Sequence, residues 1–257
     1  VATLDSRGGV DVLHDVSLTA EPGQVVALVG SSGAGKSTVA QLVSRLYDVD
    51  GGAVRLAGVD VRDLSAESIR ATVGMVTQDG HLFHETIRSN LLLARPEASD
   101  EELWDAVNRA RLGDLIRSLS DGLETVVGER GYRLSGGERQ RLTIARLLLK
   151  RPRVVILDEA TASLDSTNEA AVQDALDEAL DGRTALVIAH RLSTILNADR
   201  VLVVDARRVG EGGAPRRAAE GEADGRLEGE LRDADEAELD LGADARAGRS
   251  VRFHVRP

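Results

Sequence analysis

The residues best suited to chemistry lie in one short segment, Gly-Ser-Ser-Gly-Ala-Gly-Lys-Ser-Thr, which runs from residue 30 to residue 38. This segment fits G-x-x-x-x-G-K-[ST], follows an apolar run and opens a helical pattern, which is the context that a phosphate-binding loop requires. Its glycines let backbone N–H groups point at phosphate oxygens, and the start of the helix adds a favourable dipole. We therefore predict that Lys36 binds the β- and γ-phosphates of a nucleotide and that Ser37 offers its hydroxyl to Mg²⁺. The predicted nucleotide-binding residues of this loop are Gly30, Ser31, Ser32, Gly33, Ala34, Gly35, Lys36, Ser37 and Thr38.

Two neighbouring carboxylates follow the apolar run Val154–Leu157. In α/β folds, ligands bind at the carboxyl ends of such buried strands. Asp158 is therefore expected to hold Mg²⁺, directly or through water, and Glu159 to activate the attacking water as general base. An apolar run that ends in Asp-Glu is common by itself, but its combination with a phosphate loop favours the catalytic interpretation.

A third motif is the sequence Leu-Ser-Gly-Gly-Glu at residues 134–138. Ser135, Gly136 and Gly137 precede a helical pattern, so they offer a second helix start that can bind an anion. A Ser-Gly-Gly loop alone would be an ordinary helix cap. With the phosphate loop before it and the two carboxylates after it, the sequence resembles the nucleotide-binding domains of ABC proteins, whose signature is LSGGQ or LSGGE.

The resemblance covers about residues 10–205 and implies further site residues. Gln78, which follows the run Val73–Val76, matches the glutamine that senses Mg²⁺ and the membrane partner. His190 matches the histidine that contacts the γ-phosphate, and Asp165 falls at the dimer contact. The segment 125–131, just before the signature, is similar to the corresponding loop of ABC exporters.

The resemblance also implies a mechanism. Two such domains pair head to tail, in a homodimer or a heterodimer, and ATP on one phosphate loop is completed by the signature loop of the other. ATP and Mg²⁺ are the implied cofactors. A transmembrane transport domain is the implied partner, so the domain is expected on the cytoplasmic side of the cell membrane.

Apolar periodicity predicts the elements that position these motifs. Near-continuous apolar runs suit buried parallel strands, and apolar residues spaced at i, i+3 and i+4 suit helices. Ser99 with Glu102, and Ser166 with Glu169, have capping-box spacing at two helix starts. The predicted strands are Val25–Val29, Val73–Val76, Val154–Leu157, Ala185–Ala189 and Val201–Val204, and the predicted helices contain Val39–Leu46, Leu103–Ala110 and Val172–Leu180.

The predicted fold is therefore α/β, which the resemblance narrows to a phosphate-loop (RecA-like) core. We predict an ATP-binding domain over residues 1–205, with a helical subdomain inserted at about 80–150. Residues 206–257 are rich in Ala, Gly, Arg, Glu and Asp and carry no sustained apolar period, so we predict a disordered tail.

Composition excludes several classes of protein. The formal net charge of −11 argues against a nucleic-acid binder, which would carry a basic face. No cysteine is present, so disulfides and thiolate metal sites are excluded. No apolar run approaches the roughly 20 residues that span a bilayer, so any action at a membrane is expected through a partner.

Two alternatives stay open. One is a non-transport ABC ATPase, although the segment between Lys36 and Ser135 is too short for the long coiled coil of the repair type. The other is a degenerate cassette that binds nucleotide without turnover. The second is motivated by the absence of an aromatic residue before Tyr47, where the family stacks one on adenine, and by the unusual tail. The chain also starts with Val, so truncation is one explanation.

Overall fold

The computed structural model of the protein describes residues 5–6, 10–11, 13, 16–77, 80–128, 132, 134–158, 166–189, 195–205, 208–212 and 252–253. The chain divides into two compact units. The first comprises residues 1–70 and 184–257, and the second comprises residues 71–183.

The first unit is built on a mostly parallel sheet. Its strands lie in the order β10 (Arg208–Gly212), β9 (Arg200–Asp205), β3 (Val25–Val29) and β8 (Thr184–Ile188). The central strand β3 runs parallel to both neighbours, and Ala27 pairs with Val187 on one side and Val201 on the other. The middle residues of β3 are completely buried, as expected for a central parallel strand covered on both faces.

The other elements of this unit are short. Helix α1 (Lys36–Val43) follows β3 directly after the phosphate loop and packs near β8. The remaining elements are β1 (Asp5–Ser6), β2 (Val10–Asp11), β4 (Ala53–Leu56), β5 (Val59–Asp60), β11 (Arg252–Phe253) and a 3₁₀ turn at Val61–Asp63. β1 pairs with β2, and β4 pairs with β5 and β11.

The second unit is mainly helical. Its strands β6 (Val73–Val76) and β7 (Val154–Asp158) run parallel. Helix α6 (Gly136–Lys150) packs on its neighbours through fully buried residues such as Leu142, Ile144 and Leu148. The other helices of this unit are α3 (Ile87–Leu92), α4 (Asp100–Arg109), α5 (Gly113–Ser118), a 3₁₀ turn at Gly122–Glu124 and α7 (Ser166–Leu180). Helix α2 (Ala66–Thr72) precedes β6 and belongs to the first unit up to Arg70.

The predicted α/β fold is confirmed. All five predicted strands are present, and α3 to α6 form the helical segment expected within residues 80–150. The capping box of α4 is also confirmed, because Ser99 and Glu102 exchange both hydrogen bonds. Ser166 is the first residue of α7, and its side chain lies outside the described part of the structure, so its capping stays a prediction.

Helix α1 ends earlier than its apolar period predicts. Leu46 was expected on the buried face, but the helix ends at Val43 and the Leu46 side chain is 62% exposed. The reason is Arg45, whose φ of 54° is left-handed and cannot continue a right-handed helix. Its guanidinium donates to the carbonyls of Val61 and Leu64 at 2.8 and 2.9 Å, which offsets the strain.

The folded part continues beyond the boundary predicted at residue 205. Strand β10 pairs with β9 as an antiparallel hairpin over five residue pairs, from Arg208↔Asp205 to Gly212↔Val201. Its sequence, Arg-Val-Gly-Glu-Gly, lacks an apolar period because an edge strand is held chiefly by backbone hydrogen bonds. The disorder predicted for the rest of the tail stays a prediction, because residues 213–251 and 254–257 lie outside the described part of the structure.

Candidate nucleotide-binding site

The phosphate loop connects the buried strand β3 to helix α1. Ser31, Ser32 and Gly33 are exposed, whereas Lys36 is only 6% exposed. The Lys36 ammonium donates to the carbonyl oxygens of Gly30 at 2.7 Å and Ser31 at 2.8 Å. A buried cation is thus held under an exposed loop, and its position is fixed by the loop's own backbone.

Helix α1 begins with a glycine rather than a capping side chain. Gly35 is its N-cap residue, with φ of 104°, and no side chain caps the helix start. Because a helix N-terminus carries a partial positive charge, an anion is the natural partner for this end. The loop therefore combines a buried ammonium with the partial positive charge of the helix N-terminus, and this arrangement favours the binding of phosphate.

Gly30 is required by close backbone packing. Its φ is 145°, and a Cβ atom there would lie 2.0 Å from the carbonyl oxygen of Val204 in β9. We predict that Gly30→Ala destabilises the protein by about 3 kcal/mol or more, since strain and steric overlap add. Gly33→Ala is the matched control, because Gly33 also has positive φ, at 79°, but no atom within 4 Å of the added Cβ. Its cost should be about 1–2 kcal/mol, from the left-handed backbone alone. Chemical denaturation measures both, and equal costs would contradict the packing explanation.

Two oxygen side chains predicted to hold Mg²⁺ lie in the described structure. Ser37 is exposed in the first turn of α1. Asp158 is half-buried at the carboxyl end of β7, directly after four residues that are at most 2% exposed. A hydroxyl and a carboxylate are both hard oxygen donors and suit Mg²⁺.

The signature residues form the start of α6. Ser135 is the N-cap: its Oγ accepts from the Glu138 N–H at 3.3 Å, and its own N–H donates to the Glu138 carboxylate at 2.7 Å. Ser135 and Gly136 are exposed, and Gly137 is buried. The signature motif is therefore a capping box as well as a candidate anion site. Within the capping box, the Glu138 carboxylate accepts a hydrogen bond from the Ser135 N–H.

These two roles of Ser135 can be separated by comparison with Ser99, the N-cap of α4, which forms the same capping box with an Oγ contact of 3.3 Å. Ser135→Ala and Ser99→Ala should each cost about 1 kcal/mol of stability. Only Ser135→Ala should also lower ATP turnover per folded molecule, by about tenfold or more, because only this hydroxyl is predicted to contact nucleotide. Equal turnover in the two variants would reduce Ser135 to a helix cap.

Three of the predicted catalytic residues are not described. Gln78, Glu159 and His190 lie outside the described residues, as does Asp165, so their roles stay predictions. The chain has four other histidines. His81 and His84 are exposed, whereas His14 and His254 are not described.

The second unit contains a polar cluster that was not predicted from the sequence. Asn90 in α3 is completely buried, and Arg146 in α6 donates to it and to the carbonyl of His81. Arg88 bridges Asp100 and Glu124 at 2.5 Å each, and these hydrogen bonds raise its pKa. Only Asn90, a poor helix former within a helical pattern, gave a local signal for this cluster.

Comparison with known proteins identifies the family. The ABC transporter family profile matches residues 13–162, more than half of the chain. The ABC transporter ATP-binding protein YwjA of Bacillus subtilis (strain 168) is 48% identical over 203 residues, which cover 79% of this chain and 35% of that protein. The β-(1→2)glucan export ATP-binding/permease protein NdvA of Rhodopseudomonas palustris (strain BisB18) is 51% identical over 199 residues, with coverage of 77% and 33%.

Among solved structures, a bacterial Atm1-family ABC exporter with ATP bound superposes on this chain with a TM-score of 0.81 and 39% sequence identity. The superposition covers 94% of this chain and 41% of the exporter's chain. The chain spans about a third of the length of the curated relatives described above. The residues that the family profile matches include the phosphate loop, the Asp158 strand and the signature helix. The chain therefore belongs to the ABC transporter family, as an ATP-binding domain of the exporter type.

Proposed function

We propose that this domain binds and hydrolyses Mg²⁺-ATP and that the resulting cycle of dimer closure and opening drives an exporter's membrane domain. The observation that carries the proposal is the phosphate loop, in which Lys36 is buried and hydrogen-bonded beneath an exposed rim. Membership of the ABC family supports ATP as the nucleotide.

Within this proposal, the loop binds the triphosphate through backbone N–H groups and the Lys36 ammonium. Ser37 and Asp158 would hold Mg²⁺, with Gln78 as a further candidate ligand. The ion would neutralise charge on the phosphate oxygens when bound. Because the loop backbone already fixes the ammonium, little reorganisation is needed on binding, which favours electrostatic catalysis.

The remaining predicted catalytic residues act on water and on the γ-phosphate. Glu159 directly follows Asp158 and is proposed to accept a proton from the attacking water. His190 follows shortly after β8 and is proposed to contact the γ-phosphate. The sequence order of these residues and the family membership support the assignment.

A second ABC domain is the proposed partner at the nucleotide, in a homodimer or a heterodimer. Ser135 and Gly136 are exposed at the start of the 15-residue helix α6, so they are available to a nucleotide bound on another chain. The dipole of α6 would favour the γ-phosphate at this position. Hydrolysis and phosphate release would then weaken the contact and open the dimer.

The proposed membrane partner docks on three exposed apolar side chains of the second unit, Phe83, Val126 and Tyr132, which we call the apolar patch. These side chains are 54%, 42% and 41% exposed. Their segments are joined by backbone hydrogen bonds, from the Val127 N–H to the Glu85 carbonyl at 2.9 Å and from the Tyr132 N–H to the Val126 carbonyl at 2.8 Å. An exposed apolar patch with a fixed backbone is typical of a protein interface.

The name of the relative NdvA, an ATP-binding/permease protein, supports a membrane domain as the occupant of this patch. In the described part of the chain, none of the helices has the length and apolar character needed to cross a membrane. We therefore propose that the domain acts at the cytoplasmic face of the membrane through this partner.

The first test is phosphate release by the purified chain with ATP, in the presence of Mg²⁺ and after its removal by a chelator. We expect turnover that depends on Mg²⁺ and saturates with ATP. Saturable nucleotide binding with no turnover under any condition would instead support the degenerate cassette.

A further inference from the structure

Helix α6, which starts at the signature, contacts the chain on both sides of Gln78. The Thr77 carbonyl, just before Gln78, accepts from the Gln140 side chain at 3.5 Å. Gly80, just after it, lies so close to α6 that a Cβ atom would be 3.0 Å from Thr143 Oγ1 and 3.1 Å from the Arg139 carbonyl oxygen. Both flanks of Gln78 are therefore held against the turn of α6 that follows the signature.

Arg146 extends this contact by about one further turn of the same helix. Its guanidinium donates to the His81 carbonyl at 2.7 Å, to the Asn90 carbonyl at 2.8 Å and to the Asn90 side-chain oxygen. All three acceptors are neutral. Burial lowers the pKa of Arg146, and a half-buried cation that meets only neutral oxygens costs stability unless its hydrogen bonds are well formed. The three bonds require the planar fork of an arginine.

Asn90 connects Arg146 to the turn at residues 83–86, which contains Phe83 of the apolar patch. Its side-chain oxygen accepts from the Phe83 N–H at 3.0 Å, and its amide donates to the carbonyls of Phe83 and Thr86 at 3.0 Å each. With no exposed surface, Asn90 fixes the turn at residues 83–86 from inside. Hydrogen bonds through Asn90 and Arg146 therefore connect that turn to the signature helix.

We propose that Arg146 is a positioning residue that joins residues 80–90 to the signature helix. Through this link the flank of Gln78, the apolar patch and the Ser135 loop move as one piece. The proposal rests on the proposed function, because it assigns to the link the transfer of motion from the membrane partner to the nucleotide. The phosphate loop belongs to the first unit and is unchanged by loss of the link, so the expected defect lies in turnover rather than in ATP binding.

The test compares Arg146→Met and Arg146→Lys with a matched control. Methionine keeps the apolar stem and removes every donor, whereas lysine keeps the charge but cannot reach three acceptors at once. The control is Arg109→Met, which removes an arginine of the same unit that donates to Glu178 at 2.6 Å, away from residues 80–90. Two measurements are made on the full chain: hydrogen exchange of single amides, and kcat with KM for ATP.

The indicator amides are those of Phe83, Ile87 and Val127, whose acceptors are the Asn90 side chain and the carbonyls of Thr125 and Glu85. In both Arg146 variants we expect these amides to exchange about tenfold faster or more, while amides of β7 keep their wild-type rates. We expect kcat per folded molecule to fall about tenfold or more, with KM within about threefold of wild type. Arg109→Met should change neither quantity.

The proposal is overturned if the indicator amides keep wild-type rates, if kcat falls only with the folded fraction, or if Arg109→Met gives the same pattern. A wild-type chain without ATP turnover would refute the proposed function separately. The exchange rates would still decide whether Arg146 fixes residues 80–90.

Discussion

Replacing Lys36 by Ala is expected to lower kcat/KM for Mg²⁺-ATP by about a thousandfold or more. The substitution removes the only charged side chain of the phosphate loop at residues 30–38, which is proposed to contact the triphosphate. Solvent screening is weak at this position, since Lys36 is 6% exposed. It also removes the hydrogen bonds at 2.7 and 2.8 Å that fix the loop carbonyls. Steady-state phosphate release and titration with a fluorescent ATP analogue measure turnover and binding separately.

Arg45→Met provides the matched control for Lys36→Ala. Arg45 is also a cation that donates to two backbone carbonyls of the first unit, those of Val61 and Leu64. Its loss should lower thermal stability, yet ATP binding should stay within about threefold of wild type, since no phosphate contact is lost. If both variants lost ATP binding equally, the effect of Lys36 would be one of folding rather than of charge.

Glu159→Gln is expected to lower kcat by about a thousandfold while ATP binding is retained, since glutamine keeps the shape of glutamate but cannot accept a proton. Because hydrolysis opens the proposed dimer, the variant should accumulate as an ATP-bound dimer. Size-exclusion chromatography with light scattering, with and without ATP, measures this shift. A rapid-quench measurement of single turnovers shows whether the chemical step is the one that slows.

The control for this substitution is Glu102→Gln, another acid-to-amide change. Glu102 caps α4, and glutamine also fits a capping box. This variant should turn over ATP at the wild-type rate and should not accumulate as an ATP-bound dimer beyond the wild-type level at the same concentration. Wild-type turnover in Glu159→Gln would mean that another group activates the water.

Much of the fold could be predicted from local patterns. The strand around Ala27 is buried on both faces, so its continuous apolar run was sufficient. The start of α4 was visible as Ser99 with Glu102. The end of α1 could not be predicted in this way, because Arg45 adopts its left-handed conformation with support from carbonyls 16 and 19 residues further along the chain. Strand β10 was missed because its pairing depends on backbone rather than on side chains.

In the candidate site too, local motifs could be predicted from the sequence and contacts between distant residues could not. The phosphate loop, Asp158 and the signature are contiguous motifs whose chemistry is determined by residue type and order, so they could be found without coordinates. The link from Arg146 to Asn90 joins residues 56 positions apart through neutral acceptors, and no local pattern predicts such a contact. Likewise, only the fold joins the segment after Phe83 to the segment of Val126, through the hydrogen bond from the Val127 N–H to the Glu85 carbonyl.

In the proposed mechanism, one chain hydrolyses ATP only with the help of another chain's signature loop. The most direct test is turnover per chain as a function of chain concentration, with the oligomeric state measured in parallel by light scattering. We predict that turnover per chain rises in proportion to concentration while monomers predominate and reaches a plateau as dimers form. Constant turnover per chain over a range in which the protein stays monomeric would show that the site is complete within one chain and would contradict the claim.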